Sequence, residues 1–528
     1  MKHKLLALIL CFTMLLTLLL TGCKGGGNTT DNGSGNLNND SGNSGNGGNS
    51  GNGGNNNSNT NTPSDDNHQV GESDDDIGAY GKTLEQLGAM NGYFDGNAGD
   101  IKIKCVSGTA GCYKVEGNVI TFTSVKADSV YSISGKFSGS IVIDIGDAYK
   151  FDLELAGVSI VARNNNPITI LSGDEVSIKA QKDTSNYIYD TRSAVNENNT
   201  TVYSGAIHSE VDLEIGGKGN LFVVSSNNNG IRCKKDIQVQ NLSLTVSCVD
   251  NALKGNDSVQ LETAVVTLIA KSGDAIKTTK SDISSKGNQR GTVSFTGGRY
   301  QLYAAGEGID SAYNVTVGTD VSLAVYTDKY SIHTESTSNL DYSTKGIKAA
   351  NEVIISGGIV EIKSTDNAIH VNNDTPLENG ASALGRLTIN AGEISIYTRG
   401  EGLHADGSIV INGGKTLVVS NSKDSSAISA KYGYTYAGGS VVAVMPQCEA
   451  ANMATNCTGF DSVGKKLALS LNKGKYLGCV IGGDKLSYNM PVDMTAYVVL
   501  LGSSVTSASA DANSSHSLAL GEYIWEQK

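Results

Sequence analysis

An all-β fold, specifically a right-handed parallel β-helix, is what this 528-residue sequence predicts, on three observations. A short phrase centred on one apolar residue recurs, each phrase leads into two alternating strands usually joined by a glycine turn, and five prolines stand against 64 glycines. The phrases are GAIHS (205–209), NGIRC (229–233), NALKG (251–255), DAIKT (274–278), EGIDS (307–311), KGIKA (345–349), NAIHV (367–371), EGLHA (401–405) and SAISA (426–430). EVIISGGIVEIKS (352–364) and SIVINGGKTLVVS (408–420) are two of the strand pairs that follow them.

The central apolar residues set the period. Steps of 24, 22 and 23 residues run from Ile207 through Ile231 and Leu253 to Ile276, and steps of 22 and 25 join Ile347 to Ile369 and Leu403 to Ile428. Three longer steps, 33, 38 and 34, start at Ile276, Ile309 and Ile369; their excess falls in polar stretches 278–290, 326–343 and 372–384, read as inserted loops. A period in the twenties made of strands means a solenoid. Leucine-rich repeats share the period but not the LxxLxL pattern, and a β-propeller is the more distant alternative. One repeat cannot bury its own inward Val, Ile and Leu, whereas stacking at about 4.8 Å buries a continuous core. About five inward aliphatics at roughly 1.5–3 kcal/mol each give a gross gain on the order of 10 kcal/mol per repeat, most of it offset by chain entropy.

The solenoid is assigned to residues 77–445. Its ends need covering, because bare strand edges template aggregation. Residues 446–528 lose the phrase and read as a C-terminal cap or small β domain, and 80–92 (YGKTLEQLGAMNG) read as a short helix plugging the N-terminal end.

Ahead of this body, Lys2 and Lys4 precede an apolar run over 5–20 and then Leu20-Thr21-Gly22-Cys23. That order is a secretory signal, residues 1–22, ending in a lipobox that makes Cys23 the lipidated first residue. Residues 23–76 are almost all Gly, Asn, Ser, Thr and Asp without an aromatic side chain, so they read as a disordered tether. The chain is thus expected at the extracellular face of a bacterial membrane, touching the bilayer through its lipid only, and as a monomer.

A net charge of −13 with no basic stripe argues against nucleic acid as partner. No CxxC or HExxH occurs. Of the nine cysteines, seven remain after Cys11 is removed and Cys23 lipidated; Cys105/Cys112 and Cys448/Cys457 are spaced for local disulfides in an aerobic setting, or for buried thiols in an anaerobe.

Stacking turns equivalent positions into rows. Two residues before each centre stand Asn229, Asn251, Asp274, Glu307, Lys345, Asn367 and Glu401; one residue after stand His208, Arg232, Lys254, Lys277, Asp310, Lys348, His370 and His404. One reading is structural: amide ladders and weak exposed ion pairs. A second is metal binding, because Asp274 and Glu307 fall one rung apart with Asp310 and Asp250 beside them, a set of oxygens that suits calcium. A third takes Lys254, Lys277 and Lys348 as contacts for an acidic polysaccharide, with Lys277 or Lys348 as candidate bases of a β-elimination. A fourth takes Tyr432, Tyr434 and Tyr436, together with Tyr326, Tyr330 and Tyr342, as stacking platforms for sugar rings.

YSISGKFSGSIVID (131–144), FDLELAGVSI (151–160), PITI (167–170), VSIKAQKDTSNYIYD (176–190) and GAIHSEVDLEIGGKGNLFVVS (205–225), with the phrases after them, resemble the clostridial cell-surface carbohydrate-binding β-helix family. The resemblance spans about 100–445. It implies a pectate-lyase-like β-helix related to family 9 polysaccharide lyases, with bound calcium and binding of cellulose or polygalacturonate-type glycans rather than catalysis. Calcium is carried over first to Asp274, Glu307 and Asp310; Lys345 stands in the acid's slot of its own repeat. The expected function is therefore a membrane-anchored, non-catalytic, calcium-stabilised polysaccharide binder. The alternatives are a calcium-dependent lyase on the same scaffold and a surface adhesin with no glycan role.

Overall fold

Alternation decides the local structure. Each phrase forms a three-residue strand, as at Ile231–Cys233, with its end residues buried and its middle residue turned outward. A second strand, Asp236–Gln240, buries Ile237 and Val239, and a third, Ser243–Cys248, buries Leu244 and Val246. In a computed structural model the chain is described over residues 83–193, 204–327, 343–375, 384–422, 426–446, 457–458, 464–513 and 516–527. The signal segment, Cys23, the tether, Tyr330, Tyr342 and Cys448 lie outside the described residues.

The predicted register holds at every step. Ile207 pairs in parallel with Ile231, and the ladder continues through Leu253, Ile276, Ile309, Ile347, Ile369, Leu403 and Ile428. The three long steps therefore keep register, their extra residues leaving the ladder. The pairing also runs back from Ile207 to Ile168, Ile141 and Ile120, where no phrase marks it in the sequence. Among the described residues the nine phrase strands and four strands before them make a 13-stranded sheet, and the second and third strands of the repeats belong to a 26-stranded one. Fully buried Ile, Val and Leu from both fill one continuous core.

The described chain is all-β. At its start Gly99–Ser107 pairs antiparallel with Ser129–Phe137, and Phe122, Tyr131 and Phe151 pack ring to ring at 5.0–5.7 Å. At its end Ser440–Pro446 receives the antiparallel strand Met494–Leu501, which also pairs with Gly464–Leu471. A four-stranded antiparallel sheet of Tyr476–Ile481, Asp484–Asn489, Val505–Ala512 and Tyr523–Gln527 follows. Leu477, Ile481, Leu486 and Trp525 from it pack against the outward Leu417, Val419, Val442 and Val444 of the last repeats.

The N-terminal segment corrects an expectation. Residues 83–92 form turns rather than a helix: Leu87 N–H reaches Thr83 O, Gly88 N–H reaches Glu85 O and Ala89 N–H reaches Leu84 O, an unsteady ladder. The segment has a capping box, with Thr83 N–H donating to Gln86 Oε1 and Gln86 N–H to Thr83 Oγ1, but Gly88 turns the chain at φ +76°. It does not plug an end. Leu84 and Ala89 cover Ile269, Tyr303 and Tyr326 on the outer face of the third strands. Cys105 and Cys112 are both free thiols, the second of the two readings their spacing left open, and Cys112 Sγ contacts Ser124 O.

Candidate functional site

The row two residues before each centre is a ladder of side chain onto backbone. Asn229 Oδ1 accepts from Asn251 N–H and Asn251 Oδ1 from Asp274 N–H, both at 3.2 Å. Asp274 Oδ1 accepts from Glu307 N–H at 2.8 Å, and Asn367 Oδ1 from Glu401 N–H at 2.8 Å. Asn and Asp recur here because a short side-chain oxygen can satisfy the amide one rung on. Lys345 offers no such acceptor and pairs with Asp366 at 2.6 Å.

Where the row turns acidic, a cavity of about 460 Å³ opens on the phrase strands. It gathers Asp250, Asp274, Glu307 and Asp310 with Lys254, Lys277 and Lys348. Register brings them together, since Lys254, Lys277, Asp310 and Lys348 are successive partners in one ladder. Glycine keeps the floor clear: a Cβ at Gly306 would stand 2.5 Å from Asp274 Oδ1, and one at Gly273 would stand 2.6 Å from Asp250 Oδ1. Carboxylate oxygens of Asp274, Glu307 and Asp310 lie within 4.8 Å of one another. Calcium with oxygens at about 2.3–2.6 Å spans such a set.

Two of the lysines, Lys277 and Lys348, are already paired with those acids. Lys277 Nζ donates to Asp274 Oδ2 at 2.8 Å and Asp310 Oδ2 at 2.6 Å, while Lys348 Nζ stands 3.4 Å from both Glu307 and Asp310. Burial works to lower both lysines, but Asp274 and Asp310 at Lys277, and Asp310 and Glu307 at Lys348, leave each pKa above the ordinary value. Burial, then the Asp274 carboxylate, raises Glu307 to about 7. With no ion between the acids, Lys277 and Lys348 favour the ammonium form, whereas the base of a β-elimination would have to be the neutral amine.

The tyrosines separate into two kinds. Tyr326 is 7% exposed, packed on Tyr303 at 5.3 Å beneath the 83–92 segment, and Tyr434 is 1% exposed in the main core. Neither presents a face to a sugar, which corrects both as stacking platforms. Alternation explains it: Tyr434 pairs with the inward Ile409. Tyr432 and Tyr436 are half-buried, with Lys431 Nζ 5.9 Å from the Tyr432 ring centre and Tyr436 Oη donating to Gly439 O.

Sequence reasoning missed two features. Under the 278–290 insertion lies a polar depression of about 570 Å³ lined by Asp212, Asp236, Asp257, Gln260, Lys280, Lys286 and Arg290. Gln260, outward on a second strand, and the basic Lys280, Lys286 and Arg290 of the insertion are its legible trace in the sequence. The other feature joins two members of the basic row. His404 Nε2 stands 3.2 Å and His370 Nε2 3.6 Å from Asp406 Oδ1, while His404 Nδ1 lies 2.5 Å from Glu401 Oε2. Burial, His404 and Lys345 lower His370 to about 4; at His404 burial opposes Glu401 and Asp406, and the pKa ends raised. The spacing in EGLHAD (401–406) is the signal that could have found it.

Residues 116–385 match the family model described as carbohydrate-binding domain-containing protein. A relative from Acetivibrio thermocellus, bearing that same description, is 30% identical over 156 residues, 28% of this chain and 54% of the relative. The chain thus spans about half of that relative's length. A solved structure, the polysaccharide lyase-like protein from C. thermocellum as a gadolinium derivative, is 27% identical with a TM-score of 0.35, covering 40% of this chain and 88% of that one.

Proposed function

Since the chain belongs to the carbohydrate-binding domain-containing protein family, we propose that it is a non-catalytic polysaccharide binder whose repeats wind into a right-handed parallel β-helix, anchored outside the cell through lipidated Cys23. The ligand class is a plant cell-wall glycan such as cellulose or pectate. The observation that carries the reading is the open cavity in which Lys254, Lys277 and Lys348 stand among four carboxylates. Fixed ammonium and carboxylate groups on rigid strands can hydrogen-bond hydroxyls and pair with uronate charges. Lys277 and Lys348 are paired with the carboxylates around them, an arrangement that supports binding rather than β-elimination.

Calcium belongs to the same proposal. Asp274, Glu307 and Asp310 would hold it, with Asp250 on the rim, and it would supply a positive charge to bridge them to a uronate. The spacing of the acids fits the ion, although Lys277 must move aside, because it already occupies Asp274 Oδ2 and Asp310 Oδ2.

The test is to pass the purified full-length chain over polygalacturonate and cellulose, with calcium or a chelator, while following absorbance of unsaturated product. Retention without rising absorbance is expected, weakened in Asp310→Asn. A steady rise in product would refute the binder reading, and no retention on either polymer would leave the adhesin. Anchoring predicts that Cys23→Ser releases the protein from cells into the medium.

A further inference from the structure

The two-histidine cluster begins on the rung next to the acid and lysine cavity, His370 pairing with Lys348, and the glycan reading makes no use of it. His370 and His404 are direct partners on adjacent phrase strands, and Asp406 follows the second of them. One nitrogen from each ring and one Asp406 oxygen lie within 4.8 Å of each other. We propose that His370, His404 and Asp406 form a binding site for a first-row transition-metal dication, zinc by preference, clamping two neighbouring repeats together.

The distances are those of a nearly formed tetrahedral site. Zinc–nitrogen and zinc–oxygen bonds of about 2.0–2.1 Å place neighbouring ligand atoms roughly 3.3 Å apart. Asp406 Oδ1 stands 3.2 Å from His404 Nε2 and 3.6 Å from His370 Nε2, so two of the three edges need little adjustment. The third edge, between the imidazoles, closes by a ring rotation, their centres being 4.4 Å apart.

A metal-bound histidine commonly rests its other ring nitrogen on a carboxylate, which sets its orientation. His404 has this arrangement, with Nε2 facing Asp406 and Nδ1 2.5 Å from Glu401 Oε2. Glu401 is itself positioned, accepting from Asn367 Nδ2 at 3.2 Å. Among the described residues both ring nitrogens of His370 are buried without a hydrogen-bond partner, an arrangement that a metal ligand would explain. The side chains keep exposures of 16%, 19% and 23% at His370, His404 and Asp406, leaving a path for an ion and a water as fourth ligand. Neutral imidazoles with two carboxylates carry two negative charges, matching a divalent ion. The nearby ammonium groups are neutralised elsewhere: Lys345 by Asp366, and Lys348 by Glu307 and Asp310. Imidazole nitrogen selects zinc over calcium, which prefers oxygen alone.

The test titrates the chelator-stripped full-length chain with zinc in saturating calcium, against a chromogenic zinc chelator, while recording the histidine ring signals by NMR. One equivalent of tightly bound zinc is expected, with the signals of two of the seven histidines shifting at that equivalence point. His370→Gln and His404→Gln should each abolish it. Glu401→Gln should keep the stoichiometry but weaken affinity about 10–100-fold, and Asp274→Asn should leave it unchanged. The wild-type NMR measurement stands even where a variant misfolds. Absence of stoichiometric zinc in the wild-type chain, movement of other histidines instead, or full binding in both histidine variants would overturn the site.

Discussion

Lys277→Met isolates the conflict at the centre of the cavity. The ammonium bridges Asp274 at 2.8 Å and Asp310 at 2.6 Å, and its side chain is 29% exposed. At about 2.7 Å and an effective dielectric of about 20, each contact has a Coulomb energy of roughly 6 kcal/mol. Solvent screening and lost hydration reduce this toward the roughly 1.5–3 kcal/mol of a charged hydrogen bond. A cation entering between the same oxygens must displace the ammonium, at a cost of about 3 kcal/mol. Since about 1.4 kcal/mol is tenfold in affinity, Lys277→Met should bind calcium roughly 100-fold more tightly than wild type. Without calcium the same variant should melt at a lower temperature, because three carboxylates within 4.8 Å have lost their nearest counter-charge. Calorimetric titration and thermal melts, each with and without chelator, measure both effects. Calcium affinity that stays the same or falls, or a metal-free variant as stable as wild type, would refute the competition between ammonium and ion.

Three further predictions follow from other parts of the stack. His208 is buried and its pKa is lowered, burial outweighing its contact with Glu210, so below about pH 6.5 the unfolded chain takes up a proton that the native chain resists. Stability should therefore fall as pH drops from about 7.5 to 5.5, and melts of His208→Gln should show a smaller fall; an equal fall would count against the assignment. Asn251→Ala removes the acceptor for Asp274 N–H and the donor to Asn229 Oδ1, and should lower the urea midpoint by the equivalent of about 1–3 kcal/mol; no shift would mean that the ladder is dispensable. Cys233 is buried and its thiol is pushed up to about 12, so a thiol reagent should label it only after denaturation, as peptide mapping before and after urea would reveal; ready labelling of the native chain would contradict this burial.

The rung register was legible in the sequence because it rests on local chemistry. An apolar centre every 22–25 residues, flanked by period-two strands, has one way to bury its aliphatics, and insertions are simply expelled from the ladder. The rows followed from that register, so Asp274, Glu307 and Asp310 could be placed together before any coordinates. Before Ile207 the repeats lack the phrase, and only pairing of Ile120, Ile141 and Ile168 reveals them.

The sequence by itself therefore determined which residues point inward and which rungs are neighbours, since both depend on spacing along one chain. Only the tertiary structure decided what each outward side chain meets. Tyr326 looked like an exposed platform until residues 83–92, far away in sequence, covered it. Lys277 was one member of a basic row until Asp310, arriving after a long insertion, paired with it at 2.6 Å. His370 and His404 looked like one more basic pair until Asp406 and Glu401 closed around them. Burial, charge state and partnership are properties of a neighbourhood, and in a stack of repeats that neighbourhood is assembled from segments some 22 to 38 residues or more apart.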